Sequence, residues 1–340
     1  MAVYHGGNVW QGEGSDQWLD FSANLNPEGP PEWVRTAMAG GLGRAAFYPD
    51  IAGRAARAGM AAHLGIPEAC VLVTAGGIEA ASLAAGLPGA HVVAQPTFQE
   101  YGRLCGTHRD MTRDELRDYA FAPWETLWLC NPNNPTGDAL ARDEVIALLR
   151  RAEAAGARLI VDEAFIDYCP AHSVVDLVEN HPALIVLGSL TKVLAIPGVR
   201  LGYLAAHPSV IGAMSEGLLP WRLNCVADAV AAALPGHQAD FERIRALNDQ
   251  RREAFTHQLA ALGIHVYPSN ANFLLCDFGR DMRPVIERLK QQRILVRPCG
   301  MFPGLGHGHV RLCVRTEEEN ARLVAALRGN ATVPRLKSLI

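Results

Sequence analysis

The sequence predicts an α/β fold: a large domain with a mostly parallel sheet flanked by helices, plus a smaller α/β domain formed by both termini. Through the middle of the 340-residue chain, short apolar segments alternate with helical ones, as in a parallel sheet covered on both faces. The flanks differ, with turn residues near the N-terminus and a long amphipathic helix before strand-like segments near the C-terminus. A chain of this length has room for about two domains. We place the large domain at residues 41–234 and the small domain at 1–40 and 235–340.

The predicted sheet of the large domain rests on short apolar runs that are bounded by turn residues. These runs are Val71–Thr74, His91–Gln95, Leu127–Cys130, Arg158–Asp162 and Ala183–Gly188. Residues 78–86 are helical in composition, and in residues 143–155 the apolar side chains recur at a helical period. Strands and helices therefore follow each other in the order that a parallel sheet requires.

The small domain is predicted from segments on both sides of that sheet. Asn24 to Pro31 carries turn residues, and a short helix follows around Trp33–Met38. In the C-terminal third, helices are expected at 241–262 and 282–292, and strands at 272–277, 294–297 and 310–314.

Composition and charge exclude several classes of function. Thirty-one basic residues against 35 acidic ones give a net charge of −4, so the excess positive charge of a general nucleic-acid-binding protein is missing. The sequence shows neither a secretory signal nor an apolar stretch of membrane-spanning length. Its eight cysteines are scattered without a Cys-x-x-Cys pair, which is typical of reduced, buried thiols. We expect a cytoplasmic protein with no metal site and no nucleic-acid or membrane partner.

Three polar residues follow neighbouring strands of the predicted sheet. Asn134 comes after the strand that ends at Cys130, Asp162 ends the next strand, and Lys192 follows the strand after that. They lie about one strand–helix–strand unit of roughly 30 residues apart. Because ligands of open α/β sheets bind outside the carboxyl ends of the strands, we expect all three at one site.

This trio has a specific chemical meaning. A lysine amine can form a Schiff base with an aldehyde cofactor. A carboxylate opposite a pyridine nitrogen keeps that nitrogen protonated, so the ring can accept electrons from the substrate. An asparagine amide can hold a ring oxygen.

Two further segments predict a cup for a phosphate group. Gly76, Gly77 and Ile78 open a helix directly after a strand, where free N–H groups and the helix dipole favour an anion. Ser189 and Thr191 flank Lys192, and the downstream Arg200 can hold phosphate through two hydrogen bonds.

At these residues the sequence resembles the class I/II aminotransferase group of fold-type I pyridoxal-phosphate enzymes. The resemblance runs from His5 to Leu327. It is carried by Asn131-Pro-Asn-Asn-Pro-Thr-Gly137, Asp162-Glu-Ala-Phe165, Ser189-Leu-Thr-Lys192 and Pro197-Gly-Val-Arg-Leu-Gly202. It implies an aspartate aminotransferase-like fold, pyridoxal 5'-phosphate as cofactor, and a homodimer with shared active sites.

The resemblance also assigns two aromatic residues. Tyr48, in the pair Tyr48-Pro49, matches the tyrosine that reaches the cofactor phosphate of the partner subunit. Phe98, in Pro96-Thr-Phe-Gln-Glu-Tyr101, matches the aromatic residue that stacks on the cofactor ring. An ordinary core position remains the alternative for Phe98.

Within this group the chain most resembles the threonine-phosphate decarboxylases and next the histidinol-phosphate aminotransferases. The resemblance to the decarboxylases rests on four features: His5-Gly-Gly-Asn8, Phe21-Ser-Ala-Asn-Leu-Asn-Pro27, Leu219-Pro-Trp-Arg-Leu-Asn224 and two arginine segments near the C-terminus. Phe165 stands where the aminotransferases usually carry a tyrosine. This branch implies decarboxylation of L-threonine O-3-phosphate to aminopropanol phosphate in cobalamin biosynthesis.

The substrate of such an enzyme carries a carboxylate and a phosphate. By the resemblance, Arg311 takes the carboxylate, while His5, Asn24 and Arg297 take the phosphate. A surface position for Arg297 and a turn position for His5 are the alternatives. Arg315 is expected to form a structural ion pair rather than to bind substrate.

Two other functions stay open at this point. An aminotransferase acting on histidinol phosphate would use the same cofactor residues, and Arg222 is an unusual residue that leaves the substrate undecided. A non-catalytic pyridoxal-phosphate sensor would need an attached DNA-binding region, for which the few residues before His5 give no room. Whether the enzyme accepts serine phosphate in addition to threonine phosphate is also open.

Overall fold

The computed structural model describes residues 5–10 and 17–329. The strands are β1 (Leu19–Asp20), β2 (Val71–Thr74), β3 (Ala90–Gln95), β4 (His108–Thr112), β5 (Glu125–Cys130), β6 (Arg158–Asp162), β7 (Leu184–Ser189), β8 (Gly202–Ala206), β9 (His265–Val266), β10 (Phe273–Asp277), β11 (Ile294–Leu295), β12 (Arg297–Pro298) and β13 (His309–Cys313). The helices are α1 (Glu32–Leu42), α2 (Arg54–Leu64), α3 (Gly77–Ala85), α4 (Glu100–Cys105), α5 (Arg142–Ala154), α6 (Pro208–Ser215), α7 (Cys225–Ala232), α8 (Gln238–Ala260), α9 (Arg283–Gln291) and α10 (Glu317–Gly329).

A seven-stranded sheet forms the centre of the molecule, in the order β2-β8-β7-β6-β5-β3-β4. β3 to β7 run parallel to one another, and β8 runs antiparallel to both of its neighbours, β2 and β7. The predicted α/β class and its mostly parallel sheet are therefore confirmed. Sequence reasoning found five of the seven strands and missed β4 and β8.

The sheet is covered on both faces because its strands are apolar on both. Leu159 and Val161 of β6 pack into one core, with residues of α5. Ile160, between them, packs into a second core, with alanines of α3. Successive side chains of a strand point to opposite faces, and each buried side chain of this size contributes about 1.5–3 kcal/mol.

A second unit joins residues near the N-terminus to the C-terminal third. Its four-stranded sheet has the order β12-β13-β10-β9, and β1 pairs in parallel with β11. Leu19 and Phe21 lie in one core with residues of α8 and α9. The two C-terminal helices and the strands predicted at 272–277 and 310–314 are present, whereas β9 and α10 were not predicted. The boundaries at residues 40 and 234 stay a prediction.

One predicted strand of this unit is divided. Residues 294–297 do not form one strand, because β11 pairs with β1 whereas Arg297 of β12 pairs with β13. The chain thus changes sheets at Val296, and this change brings Arg297 beside Arg311. Among the described residues, no helix has the length and apolar character needed to cross a membrane, and the eight cysteines are free thiols.

Candidate active site

A cavity of about 480 Å³ lies outside the carboxyl ends of β5, β6 and β7. Thirteen of the fifteen predicted site residues line it: His5, Asn24, Gly77, Ile78, Phe98, Asn134, Asp162, Ser189, Thr191, Lys192, Arg200, Arg297 and Arg311. Gly76 lies directly behind the lining, and Tyr48 lies elsewhere on the surface. The topology therefore gathers the residues that the sequence singled out, while their roles remain predictions.

Parallel pairing brings Asn134, Asp162 and Lys192 together. Cys130 at the end of β5 pairs with Asp162, which pairs with Leu187 of β7. Asn134 and Lys192 lie in the turns that follow β5 and β7. As the spacing of one strand–helix–strand unit predicted, the three residues lie at the same edge of the sheet.

Asp162 is a buried carboxylate with one hydrogen-bond donor on each oxygen. Tyr101 Oη donates to Asp162 Oδ2 at 2.6 Å, and the Ala164 N–H donates to Oδ1 at 2.9 Å. Burial raises the pKa of Asp162, and the two hydrogen bonds and the charge of Lys192 oppose that rise. A positively charged ligand group beside this carboxylate would relieve the cost of its burial.

Lys192 has an amine that loses its proton easily. Burial and the positive charges of Arg311 and Arg200 lower the pKa of Lys192 to about 8, against the influence of Asp162. The neutral amine, which is the nucleophilic form, is therefore accessible near neutral pH.

The N-terminus of α3 has the geometry that the predicted anion cup requires. Gly76 has a φ of 84°, in the left-handed region that favours glycine, and a Cβ there would lie 2.5 Å from Nη2 at the flexible end of Arg200. Gly77 and Ile78 present N–H groups in the first helical turn, which lacks intrahelical acceptors. Ser189 Oγ lies 2.8 Å from Thr191 Oγ1 on the facing turn.

Arg222, whose role the sequence left open, does not line the cavity. Its Nη1 donates to Glu79 Oε1 at 2.8 Å, and its Nη2 donates to the Val73 carbonyl at 3.2 Å. Glu79 Oε2 in turn accepts the Ala75 N–H at 2.5 Å. Arg222 thus supports the loop of the anion cup from behind.

A second cationic cluster lies on the opposite side of the cavity. Arg297 and Arg311 face each other across the β12–β13 pair, and their exposed fractions are 5% and 6%. Burial and the neighbouring Arg297 lower the pKa of Arg311 to about 10. Like charges directly opposite each other are unfavourable in a sheet, so an anionic ligand would stabilise this pair.

Neighbouring residues fix the orientation of Arg311. Its Nη1 donates to Asn134 Oδ1, and its Nη2 donates to the Ser22 carbonyl at 2.7 Å. Asn24 is buried nearby, and its Oδ1 has no hydrogen-bond partner among the described residues. In contrast, Arg315 forms an ion pair with Glu319 at 2.8 Å, which confirms its structural role.

The mouth of the cavity holds two charged residues that sequence reasoning missed, Glu100 and Arg103, beside the predicted His5. His5 Nε2 lies 3.0 Å from the buried carboxylate of Glu100, which also forms an ion pair with Arg103. Tyr101, the donor to Asp162, was also missed. Its only sequence signal was its place in the segment Pro96–Tyr101, where attention went to Phe98.

The two predicted aromatic residues differ in position. Phe98 lines the cavity, with its ring centroid 5.5 Å from that of Tyr101 in an edge arrangement. Tyr48 is 82% exposed, and its ring centroid lies 4.9 Å from that of Trp221. Tyr48 therefore does not act on the cavity of its own chain.

Comparison with known families gives a match over residues 16–327 to the model of aminotransferase class I and II. A threonine-phosphate decarboxylase of Salmonella typhimurium is 36% identical over 362 aligned positions, covering 98% of each chain. A histidinol-phosphate aminotransferase of Geobacillus thermodenitrificans is 32% identical, covering 93% of this chain and 90% of the relative.

Solved structures show the same fold. A histidinol-phosphate aminotransferase from Clostridium acetobutylicum superposes with a TM-score of 0.83 at 25% identity, and an L-threonine-O-3-phosphate decarboxylase from Porphyromonas gingivalis with 0.83 at 23%. Both alignments cover 91% of this chain and 98% of the other. A histidinol-phosphate aminotransferase from Sinorhizobium meliloti, in complex with pyridoxal-5'-phosphate, has a TM-score of 0.80 at 21% identity, covering 91% and 90%. Fold, cavity and sequence agree, and this chain belongs to the class I and II aminotransferase family.

Proposed function

We propose that this chain is a pyridoxal-phosphate-dependent enzyme that decarboxylates L-threonine O-3-phosphate to aminopropanol phosphate, a reaction of cobalamin biosynthesis. The observation that carries this proposal is the buried pair Arg297 and Arg311, which shares one cavity with Lys192 and Asp162. The family is pyridoxal-phosphate-dependent, which supports the cofactor, and the 36% identical relative supports the decarboxylase branch.

The chemistry of the cavity fits this cofactor. When bound, pyridoxal phosphate supplies an aldehyde that condenses with amines and a pyridinium ring that accepts electrons. The cup at Gly76–Ile78, with Ser189, Thr191 and Arg200, would hold its phosphate. The crowding of a Cβ at Gly76 against Arg200 supports this assignment, because it shows how closely the cup is built.

Asp162, Asn134 and Phe98 would contact the ring. Asp162 would supply the negative charge that stabilises a protonated ring nitrogen. Asn134 accepts from Arg311 through its oxygen, so it would use its N–H donors toward the ring oxygen. Phe98 would pack on the face of the ring.

The opposite side of the cavity suits a short substrate with two anionic groups. Arg311 would bind the carboxylate, and His5, Asn24 and Arg297 would bind the phosphate. Each charge-assisted hydrogen bond contributes about 1.5–3 kcal/mol. Fixing the phosphate at one end leaves rotation about Cα to place the carboxylate, so binding energy from a remote group would act at the reacting bond.

Lys192 would provide the proton that the reaction consumes. The bond between Cα and the carboxylate carbon breaks, its electron pair stays with Cα, and CO₂ leaves. The ammonium of Lys192 then gives a proton to Cα, for which a pKa of about 8 is suitable. Phe165, buried at the same cavity, carries no hydroxyl that could take part in this proton transfer.

Transamination of histidinol phosphate is the second candidate, since the Geobacillus relative bears that name at 32% identity. The two reactions are separated by incubating the holoenzyme with L-threonine O-3-phosphate, with and without 2-oxoglutarate, and analysing products by mass spectrometry. CO₂ and aminopropanol phosphate without the acceptor are expected. Product that forms only with 2-oxoglutarate, together with glutamate, would replace the proposal by the aminotransferase.

We also propose that the enzyme works as a cytoplasmic homodimer. Phe47, Tyr48, Leu219 and Trp221 are large apolar residues with exposed fractions between 47% and 82%, and Tyr48 packs beside Trp221. Exposed apolar patches of this kind mark interaction sites. A second copy covering this patch would bring its Tyr48 toward the anion cup of the first.

A further inference from the structure

Tyr101 is a fully buried tyrosine at the start of α4, and its hydroxyl belongs to the site. Its Oη donates to Asp162 Oδ2 at 2.6 Å, while the Ala164 N–H occupies the other carboxylate oxygen. Asp162 is thus held from both sides. Among the residues that the structure describes, Tyr101 is the one whose side chain donates a hydrogen bond to Asp162.

The ring of Tyr101 is itself fixed on two sides. It stacks on Trp128, with 5.1 Å between ring centroids and 28° between planes. Trp128 is anchored by a 3.1 Å hydrogen bond from its Nε1 to His91 Nδ1. The edge contact with Phe98 joins Tyr101 to the residue expected on the cofactor ring. The hydroxyl therefore has little freedom to leave Asp162.

We propose that Tyr101 is a positioning residue which keeps the shared proton on the cofactor's ring nitrogen rather than on Asp162. This inference rests on the proposed function, because it assumes that Asp162 faces a pyridine nitrogen. A donor on a carboxylate stabilises its charged form. Without that donor, a buried carboxylate takes up a proton more readily, and the ring would lose part of its capacity to accept electrons.

The charges around Asp162 agree with this role. Burial raises the pKa of Asp162, and the hydrogen bond from Tyr101 is the strongest influence that opposes the rise. Lys192 opposes it more weakly. The other titratable groups that face Asp162 are Cys130 and Tyr203, whose own pKa values are raised, so both stay neutral. Tyr101 is therefore the main protein group that favours the carboxylate.

The test is Tyr101→Phe, which removes one hydroxyl and keeps the ring contacts. Holoenzyme is prepared with pyridoxal phosphate labelled with ¹⁵N at the ring nitrogen, and its NMR shift is recorded. Asp162→Asn provides the reference for an unprotonated nitrogen. We expect a protonated nitrogen in the wild type and a shift toward the Asp162→Asn value in Tyr101→Phe. kcat should fall about ten- to a hundredfold, as for a lost hydrogen bond to a charged group, with KM changed less than about threefold.

Tyr119→Phe is the matched control. Tyr119 also donates its hydroxyl to a buried carboxylate, at 2.5 Å to Glu125 Oε2, but it does not line the cavity. In the Tyr119→Phe holoenzyme, the ¹⁵N signal of the cofactor and kcat should equal those of the wild type. If Tyr101→Phe fails to fold, site-specific 3-fluorotyrosine at position 101, a stronger donor of nearly the same size, should move the ¹⁵N signal further toward the protonated form.

The outcomes separate the two proposals. A wild-type protein that takes up no pyridoxal phosphate, or an Asp162→Asn variant with an unchanged ¹⁵N signal, would overturn the proposed function and this inference with it. A wild-type holoenzyme with a protonated nitrogen, together with an unchanged signal in Tyr101→Phe, would overturn the inference alone.

Discussion

The two sides of the cavity are built in different ways. The proposed cofactor side comes from neighbouring parallel strands, so Asn134, Asp162 and Lys192 meet because of sheet topology alone. The proposed substrate side comes from segments far apart in the chain, and two buried arginines stand opposite each other there. The first side would be shared across a fold family, whereas the second would decide which substrate fits. Specificity should therefore change on the arginine side while chemistry depends on the sheet side.

The largest effect is expected on the sheet side, from Lys192→Ala. Activity should fall by at least about a thousandfold, because the variant loses both the amine nucleophile and the proton donor. The visible absorbance of the lysine–cofactor bond should disappear as well. Lys290→Ala is the control, since the Lys290 amine forms a surface ion pair with Glu287. A Lys192→Ala protein that keeps the absorbance would exclude Lys192 from this role.

A change on the arginine side should separate binding from chemistry. Arg311→Gln should lower kcat/KM about ten- to a hundredfold through the loss of a charge-assisted hydrogen bond, while the cofactor stays bound. The same variant should stabilise the substrate-free protein against thermal unfolding, because it removes one of two opposed buried charges.

Arg283→Gln is the surface control for Arg311, because Arg283 pairs with Asp281 on an exposed face. Steady-state kinetics and melting temperatures are the measurements. An Arg311→Gln protein with unchanged KM would contradict the division of labour between the two sides of the cavity.

The sequence predicted the sheet side better than the arginine side for a physical reason. Strand period and one-unit spacing locate Asp162 without any knowledge of distant contacts. The approach of His5 to Glu100, the pairing of Arg297 with Arg311 and the hydrogen bond from Tyr101 to Asp162 depend on tertiary packing, which no local pattern encodes. Family resemblance supplied His5, Arg297 and Arg311, but it did not indicate Glu100 or Tyr101.

Tyr48 tests whether the sheet side is completed by a second chain. In a mixture of Tyr48→Phe and Lys192→Ala proteins, a hybrid dimer would hold one site with both changes and one with neither. Activity after subunit exchange should exceed the average of the two parents by up to a few-fold. Mixing each variant with itself is the control. Activity equal to the average would mean that each site is complete within one chain.

The smallest effect concerns Glu163, which follows Asp162 in the chain. Its side chain does not line the cavity. Glu163 is 1% exposed and accepts hydrogen bonds from Ser173 Oγ at 2.7 Å and from the Val174 N–H at 2.8 Å. Burial raises its pKa from 4.5 to about 7. Between these values the folded state binds more protons than the unfolded state, so this group makes the free energy of unfolding fall as pH rises from about 5 to 8.

Glu163→Gln should remove that contribution, since the amide carries no charge. The amide oxygen can still accept the Val174 N–H, and the amide NH2 can donate to Ser173 Oγ. As pH rises through 7, the free energy of unfolding of the variant should increase relative to that of the wild type by about 1–3 kcal/mol. This range follows from the shift in the pKa of Glu163, since one pKa unit corresponds to about 1.36 kcal/mol. Urea unfolding of both proteins at pH 5, 6, 7 and 8 measures the difference, with the exposed Glu253→Gln as control. Asp167, whose pKa is also raised to about 7, is present in both proteins. Its charge raises the pKa of Glu163, so the measured difference contains the titration of Glu163 together with its coupling to Asp167. A constant difference between Glu163→Gln and the wild type at all four pH values would mean that Glu163 is already ionised in the folded protein. Asp162 would then be the only carboxylate of this neighbouring pair whose proton affinity is shifted by the fold.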